Sequence, residues 1–205
     1  MSRVSRIAVV VLAATLTLAT QIAPVKAKQI KDFFGTYLGA ADIKLPEGLQ
    51  ERNLRLFIKP HGKKGFSIHW TTIIQNPDGR GKVRDLSAKF SPRNRPGVFA
   101  AEMKQDVFGN QIPLDPMTGE PFFWAGVKDD TLTVHTLFVN ETGGYEMQIY
   151  KRTLTKTGID VVFDRVVDGI PRKTIKATLK RAQDCEWKWV CVSGSCTWSA
   201  SNCRK

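Results

Sequence analysis

Apolar and polar residues alternate with a period of two along most of this chain, and no stretch after the first 27 residues keeps a helical period with caps. Gly65 to Gln75 places Phe66, Ile68, Trp70 and Ile74 on one side and Ser67, His69 and Thr71 on the other. Asn53 to Lys59 alternates Leu54, Leu56 and Ile58 with Arg55, Phe57 and Lys59; Lys82 to Phe90 alternates Arg84, Leu86, Ala88 and Phe90 with Asp85, Ser87 and Lys89. Further strands are expected at Phe33–Ile43, Val98–Lys104, Phe122–Val127, Thr131–Val139, Tyr145–Leu154, Ile159–Val167 and Lys173–Leu179. Turn chemistry separates them: Asn76-Pro77-Asp78-Gly79, Lys128-Asp129-Asp130, Gly143-Gly144 and the hairpin signal Val167-Asp168-Gly169. One long irregular segment interrupts the series, Gln105 to Pro121, with Pro113, Pro116 and Pro121. Nine or ten consecutive strands at this spacing predict an all-β, antiparallel up-and-down meander, closed or nearly closed into a barrel.

The first strand carries Gly35-Thr36-Tyr37, and the last ends in the basic pair Lys180-Arg181. With a run of hairpins between them, this resembles the calycin group of lipocalin-like and avidin-like barrels. In that group a Gly-x-Trp near the start packs against a basic residue of the final strand; here Tyr37 stands where the family prefers Trp. The resemblance spans Phe33 to Arg181 and implies barrel topology with a lumen able to hold a ligand.

All four cysteines fall in the last 21 residues, among Trp187, Trp189 and Trp198. In one antiparallel register Cys191 faces Cys196 and Trp189 faces Trp198. Cys185 and Cys203 miss that register by one position, which a single-residue bulge would absorb. Nested bridges, Cys191–Cys196 and Cys185–Cys203, are therefore expected. Five, four and six residues separate successive cysteines and no His lies near them, a poor match to zinc-ligand spacing; no metal and no cofactor are expected. The tryptophans either cover the flank of the barrel or form an exposed aromatic platform.

Disulfides belong to oxidising compartments, and the N-terminus agrees. Arg3 and Arg6 precede an apolar run from Ile7 to Leu18, followed by Val25-Lys26-Ala27. Residues 1–27 thus read as a signal peptide. The run is shorter than the roughly 20 apolar residues of a membrane-spanning helix, so no transmembrane anchor is expected after cleavage. A periplasmic or secreted protein is expected, with a barrel domain over 28–183 and a Cys/Trp-rich hairpin over 184–205.

The chain has formal charge +12, and loss of Arg3, Arg6 and Lys26 with the leader would leave +9. The charge is uneven: Arg52 to Arg95 holds eleven bases against two acids, whereas Glu102 to Asp130 holds six acids against two bases. Arg52, Arg55, Lys59, Arg80, Lys82 and Arg84 could form a basic face for an anionic envelope polymer or a partner protein. Nucleic acid is not expected, because no stacking aromatics interleave the basic clusters and the compartment is wrong.

No G-x-S-x-G, H-E-x-x-H, P-loop or Rossmann fingerprint is present. His69 and His135 lie mid-strand on polar faces, and they are the only plausible proton carriers should the barrel be an enzyme. The first expectation is a non-enzymatic binder of a small amphipathic or apolar ligand. Trp70, His69, Phe122, Phe123, Trp124 and His135 are its candidate contacts, and Gln105–Pro121 is a lid or rim. The alternative is recognition of an anionic polymer or partner by the basic face.

Overall fold

A computed structural model describes residues 28–46, 48–76, 81–105, 107–108, 111–183, 185–192 and 195–203. The expected signal peptide, 1–27, lies outside them. The strands are β1 Gly35–Leu45, β2 Gly48–His61, β3 Gly65–Gln75, β4 Gly81–Pro92, β5 Val98–Ala101, β6 Lys104–Gln105, β7 Gln111–Ile112, β8 Phe122–Lys128, β9 Thr131–Val139, β10 Tyr145–Leu154, β11 Gly158–Val167, β12 Ile170–Ala182, β13 Glu186–Val192 and β14 Ser195–Ser201. Ten of them close into a barrel in the order β1-β12-β11-β10-β9-β8-β5-β4-β3-β2. The meander expected from alternation is what forms.

Side chains follow the pleat. On β12, Ile175, Ala177 and Leu179 turn inward, while Thr174, Lys176, Thr178 and Lys180 are exposed. Across β1 to β4 the partners Tyr37, Leu56, Trp70 and Leu86 share the inner face. A membrane barrel shows lipid an apolar band on its outer face; β12 shows the opposite pattern. Among the described residues no helix is long and apolar enough to cross a membrane.

One end of the barrel is packed solid. Phe66 stacks on Phe90 at 4.7 Å between centroids and meets Phe99 edge-on at 5.2 Å. A 3₁₀ turn, Ile30–Phe33, inserts fully buried Phe33 into this end. The Tyr37 hydroxyl donates to the Phe33 carbonyl (2.9 Å), and Arg181, directly opposite on β12, donates to the Tyr37 oxygen (2.7 Å) and to the carbonyl of Phe34 (2.7 Å). The Arg181 guanidinium also lies over the Tyr37 ring at 4.9 Å. The opening strand and the final strand therefore meet through an aromatic–cation contact, with Tyr in the aromatic position.

The wall is incomplete at one place. β5 pairs with β4 at only three positions, Phe90–Pro92 against Phe99–Ala101. Lys89 adds one backbone bond, its carbonyl accepting from Glu102 N–H at 2.9 Å, and among the described residues the remainder of β4, from Gly81 to Ala88, is paired on the β3 side alone. The strand expected at Val98–Lys104 ends at Ala101, because Lys104–Gln105 leaves the wall to pair with Gln111–Ile112. This strap continues through a second 3₁₀ turn, Pro116–Thr118, whose N-cap is the Asp115 side chain. An open cleft of about 780 Å³ lies between strap and wall, lined by Ser87 and Lys89 on β4 and by Met103 and Leu114 on the strap.

The tail forms the expected nested hairpin. Cys191 pairs with Cys196 and Trp189 with Trp198 in the ladder, and both disulfides, Cys191–Cys196 and Cys185–Cys203, are present. No bulge interrupts the ladder. The one-position offset is taken up beyond its end by Asn202, whose φ of 50° turns the chain back toward Cys185.

Candidate functional site

The packed end and the open end enclose a lumen with a cavity of about 480 Å³, inside the usual range of roughly 300–1,000 Å³ for small-molecule pockets. Its waist is apolar: Leu54, Trp70, Leu86, Phe163, Ile175 and Ala177 all face in. Tyr150 joins the waist in tilted contacts with Trp70 (5.4 Å) and Phe163 (4.9 Å), and its hydroxyl donates to Gln148 Oε1 (2.8 Å). Burial is the main cause that raises the Tyr150 pKa, so its phenol stays neutral.

Arg152 reaches into the same cavity from β10 and is only 2% exposed. Its guanidinium lies 5.2 Å from the Tyr150 ring and 5.6 Å from the Trp70 ring. Its one polar contact among the described residues is a long hydrogen bond, 3.4 Å, to the Tyr150 carbonyl. No carboxylate among the described residues pairs with it. Burial drives its pKa down to about 10, a measure of how poorly the site solvates the charge.

The open end adds more cations. Arg52, Arg84, Arg165 and Lys173 line the mouth beside one carboxylate among the described residues, Glu146. Arg165 donates to Glu146 at 2.6 Å, and that bond is the main reason the Glu146 carboxyl lies below its ordinary pKa. Arg52 is held by a neutral partner, donating to the side-chain Oε1 of Gln50 at 2.7 and 2.9 Å. The Arg52 pKa is lowered by burial and then by the charge of Arg84; that of Lys173 is lowered by burial and then by Arg52, Arg165 and Arg84. The mouth is a cluster of like charges with too little counter-charge.

The pleat divides the candidate contacts named from the sequence. Trp70 faces the lumen, and Phe123 faces the barrel interior at the packed end. His69, Phe122, Trp124 and His135 stand on the outer wall instead, because each occupies the strand parity opposite to the core residues beside it. Trp124 stacks flat on His135 (4.6 Å, 3°), and burial, then the charge of Lys151, lowers the His135 pKa. His69 Nε2 meets the Asp85 carboxylate at 2.7 Å. Burial alone would raise the Asp85 pKa, but the Thr71 and His69 hydrogen bonds, with the charges of His69 and Arg55, hold it below its ordinary value. β3 and β9 are separated by three strands, so the two histidines do not converge on one centre.

The basic stretch is divided in the same way. Arg52, Lys82 and Arg84 take the inward parity near the mouth, whereas Arg55 and Lys59 take the outward one; Arg80 lies outside the described residues. Arg55 is not available as surface. Its guanidinium donates to the Trp187 carbonyl and to Thr71 (3.2 Å), and it lies 5.0 Å from the Trp198 ring. These contacts seat the disulfide hairpin against the outer faces of β2 and β3. A space of about 1,010 Å³ remains between them, lined by Phe57, Lys59 and His69 from the wall and by Glu186, Trp187 and Lys188 from the hairpin.

Arg152, Tyr150, Arg165 and Lys173 are site residues that the sequence reading does not nominate. Alternation does contain the signal for Arg152. Tyr150, Arg152 and Leu154 share one parity on β10, so a full charge sits on a face otherwise built of core residues. Among the described residues no three His, Cys, Asp or Glu side chains gather as metal ligands. No protein-family model matches this chain, and comparison with curated proteins finds no match.

Proposed function

We propose that the barrel is a container for one small amphipathic molecule, held in the lumen between the packed end and the cationic mouth. The observation that carries this reading is the cavity itself. A barrel whose only task was stability would fill its interior with side chains at the density of an organic crystal. Here the packing that begins at Phe66, Phe90 and Phe99 stops at the level of Trp70 and leaves about 480 Å³. Its apolar waist rewards burial of apolar ligand area by about 25 cal/mol per Å², and its polar rim fixes orientation. Among the described residues the strap lines the side cleft and not this cavity, so the ligand enters through the cationic mouth.

Recognition of an anionic polymer by one basic face draws less support. The residues that would build that face are divided between mouth and outer wall, and Arg55 is engaged by the hairpin. Acid–base catalysis by His69 and His135 draws none from their placement.

The test uses a neutral reporter, N-phenyl-1-naphthylamine, whose emission rises in apolar surroundings. The native protein should take up one dye per chain with a saturable rise. Ala177→Trp places a large ring in the waist and should weaken uptake at least tenfold, with the melting transition retained. Uptake unaltered in folded Ala177→Trp would put the dye on the outer surface and remove the container reading.

A further inference from the structure

Resting on the container reading, we infer that the molecule held is an anion: an amphiphile whose carboxylate- or phosphate-type head is buried against Arg152, with its apolar body in the waist. A guanidinium offers five N–H donors in a planar fork and is charged in proteins at any ordinary pH. Removing such a charge from water costs several kcal/mol unless a counter-charge and hydrogen bonds replace the lost hydration. Arg152 has neither. It makes one long bond to a backbone carbonyl and rests on two aromatic faces. The π faces of Tyr150 and Trp70 offset part of the cost, but among the described residues they leave most of the fork's N–H donors without an acceptor. That edge belongs to a side chain that lines the cavity.

The fork matches a carboxylate or phosphate in geometry as well as charge, since either can accept two parallel N–H bonds. The surroundings of Arg152 exclude the alternatives. A cationic head would add like charge to a lumen that, among the described residues, already holds Arg52, Arg84, Arg152, Arg165 and Lys173 against Glu146 alone. A neutral head would leave the guanidinium without its counter-charge. The mouth cations belong to the same design: a cleft lined by one sign of charge, with low-dielectric walls, concentrates ions of the opposite sign and speeds their entry.

The experiment compares amphiphiles of one chain length and different heads: decanoate, decyl phosphate, decan-1-ol and decylammonium, each competing with N-phenyl-1-naphthylamine. At least one of the two anions should bind ten times or more tighter than decan-1-ol, and decylammonium should bind weakest. The tighter anion identifies the head chemistry. Arg152→Met keeps the length and apolar stem while removing the charge. It should bring the anion down to the affinity of decan-1-ol, leave decan-1-ol itself at least as tight, and raise the melting temperature of the empty protein. Three results separate the failures. If none of the four displaces the dye, the container reading falls. If decan-1-ol matches both anions on the native protein, the container stands and the anionic inference is overturned. If Arg152→Met retains the preference for the anion, Arg152 is not the anchor and this inference is likewise overturned.

Discussion

Individual residues in this barrel are constrained by neighbours far away in sequence. Gly35 shows this: its φ is 144°, and a Cβ there would lie 2.8 Å from the Arg181 guanidinium. The resemblance based on Gly-x-Tyr and a terminal basic pair reflects that contact, which is why Tyr in place of Trp still serves: either ring offers a face to the cation. His135 shows a different constraint. Its Nδ1 is buried without a partner among the described residues, and its pKa lies below the ordinary 6.5 through burial and then the Lys151 charge. Above pH 6.5 the ring is neutral in both folded and unfolded chains and stability is unaffected. As pH falls below 6.5 the unfolded chain gains a proton that the folded ring resists, so stability declines until the folded pKa is passed. Glu146 and Asp85, whose carboxyls are held below their ordinary values of 4.5 and 3.8, contribute their losses only at more acid pH. His135→Phe keeps the stack on Trp124 and should flatten the decline in melting temperature between pH 7 and pH 5. A native-like slope in the variant would trace the acid sensitivity to another group.

At the scale of elements, strands were more legible than what departs from them. Gly65–Gln75, Thr131–Val139 and Tyr145–Leu154 form as alternation and turn residues dictate, because period-two patterning and turn chemistry are local signals. Asp168 and Gly169 both take positive φ (49° and 78°), as a tight hairpin turn requires. The detachment of the strap after Ala101 was not legible, since nothing local distinguishes Lys104 in the wall from Lys104 outside it. The hairpin pairing was legible because cross-linking and register are arithmetic on position. Its docking was not, because Arg55 sits 132 residues from Trp187. Two strands alone are marginally stable in water, so β13 and β14 depend on their bridges and on Arg55. Replacing Cys185 and Cys203 together by Ser opens a loop of 18 residues and should cost the hairpin about 3 kcal/mol. Hydrogen exchange should show β13 and β14 losing protection while the barrel strands keep theirs. Simultaneous loss in β2 and β3 would mean that the hairpin is part of the barrel's own cooperative unit.

For the molecule as a whole, the sequence announces its charge but not where that charge points. The basic run from Arg52 to Arg84 reads as one surface until the pleat sends alternate residues to opposite sides of the wall. Closure then brings Arg152, Arg165 and Lys173, about a hundred residues later, into the same space as Arg52 and Arg84. A cationic lumen is therefore a property of the closed barrel and of no single segment. A container for an anion requires that this lumen be filled in the cell. Native mass spectrometry of the protein taken from its own cells reads this directly. The account predicts one small molecule per chain, released on unfolding and detected as an anion, and its absence from Ala177→Trp prepared alongside. The bare chain mass in every preparation would contradict it.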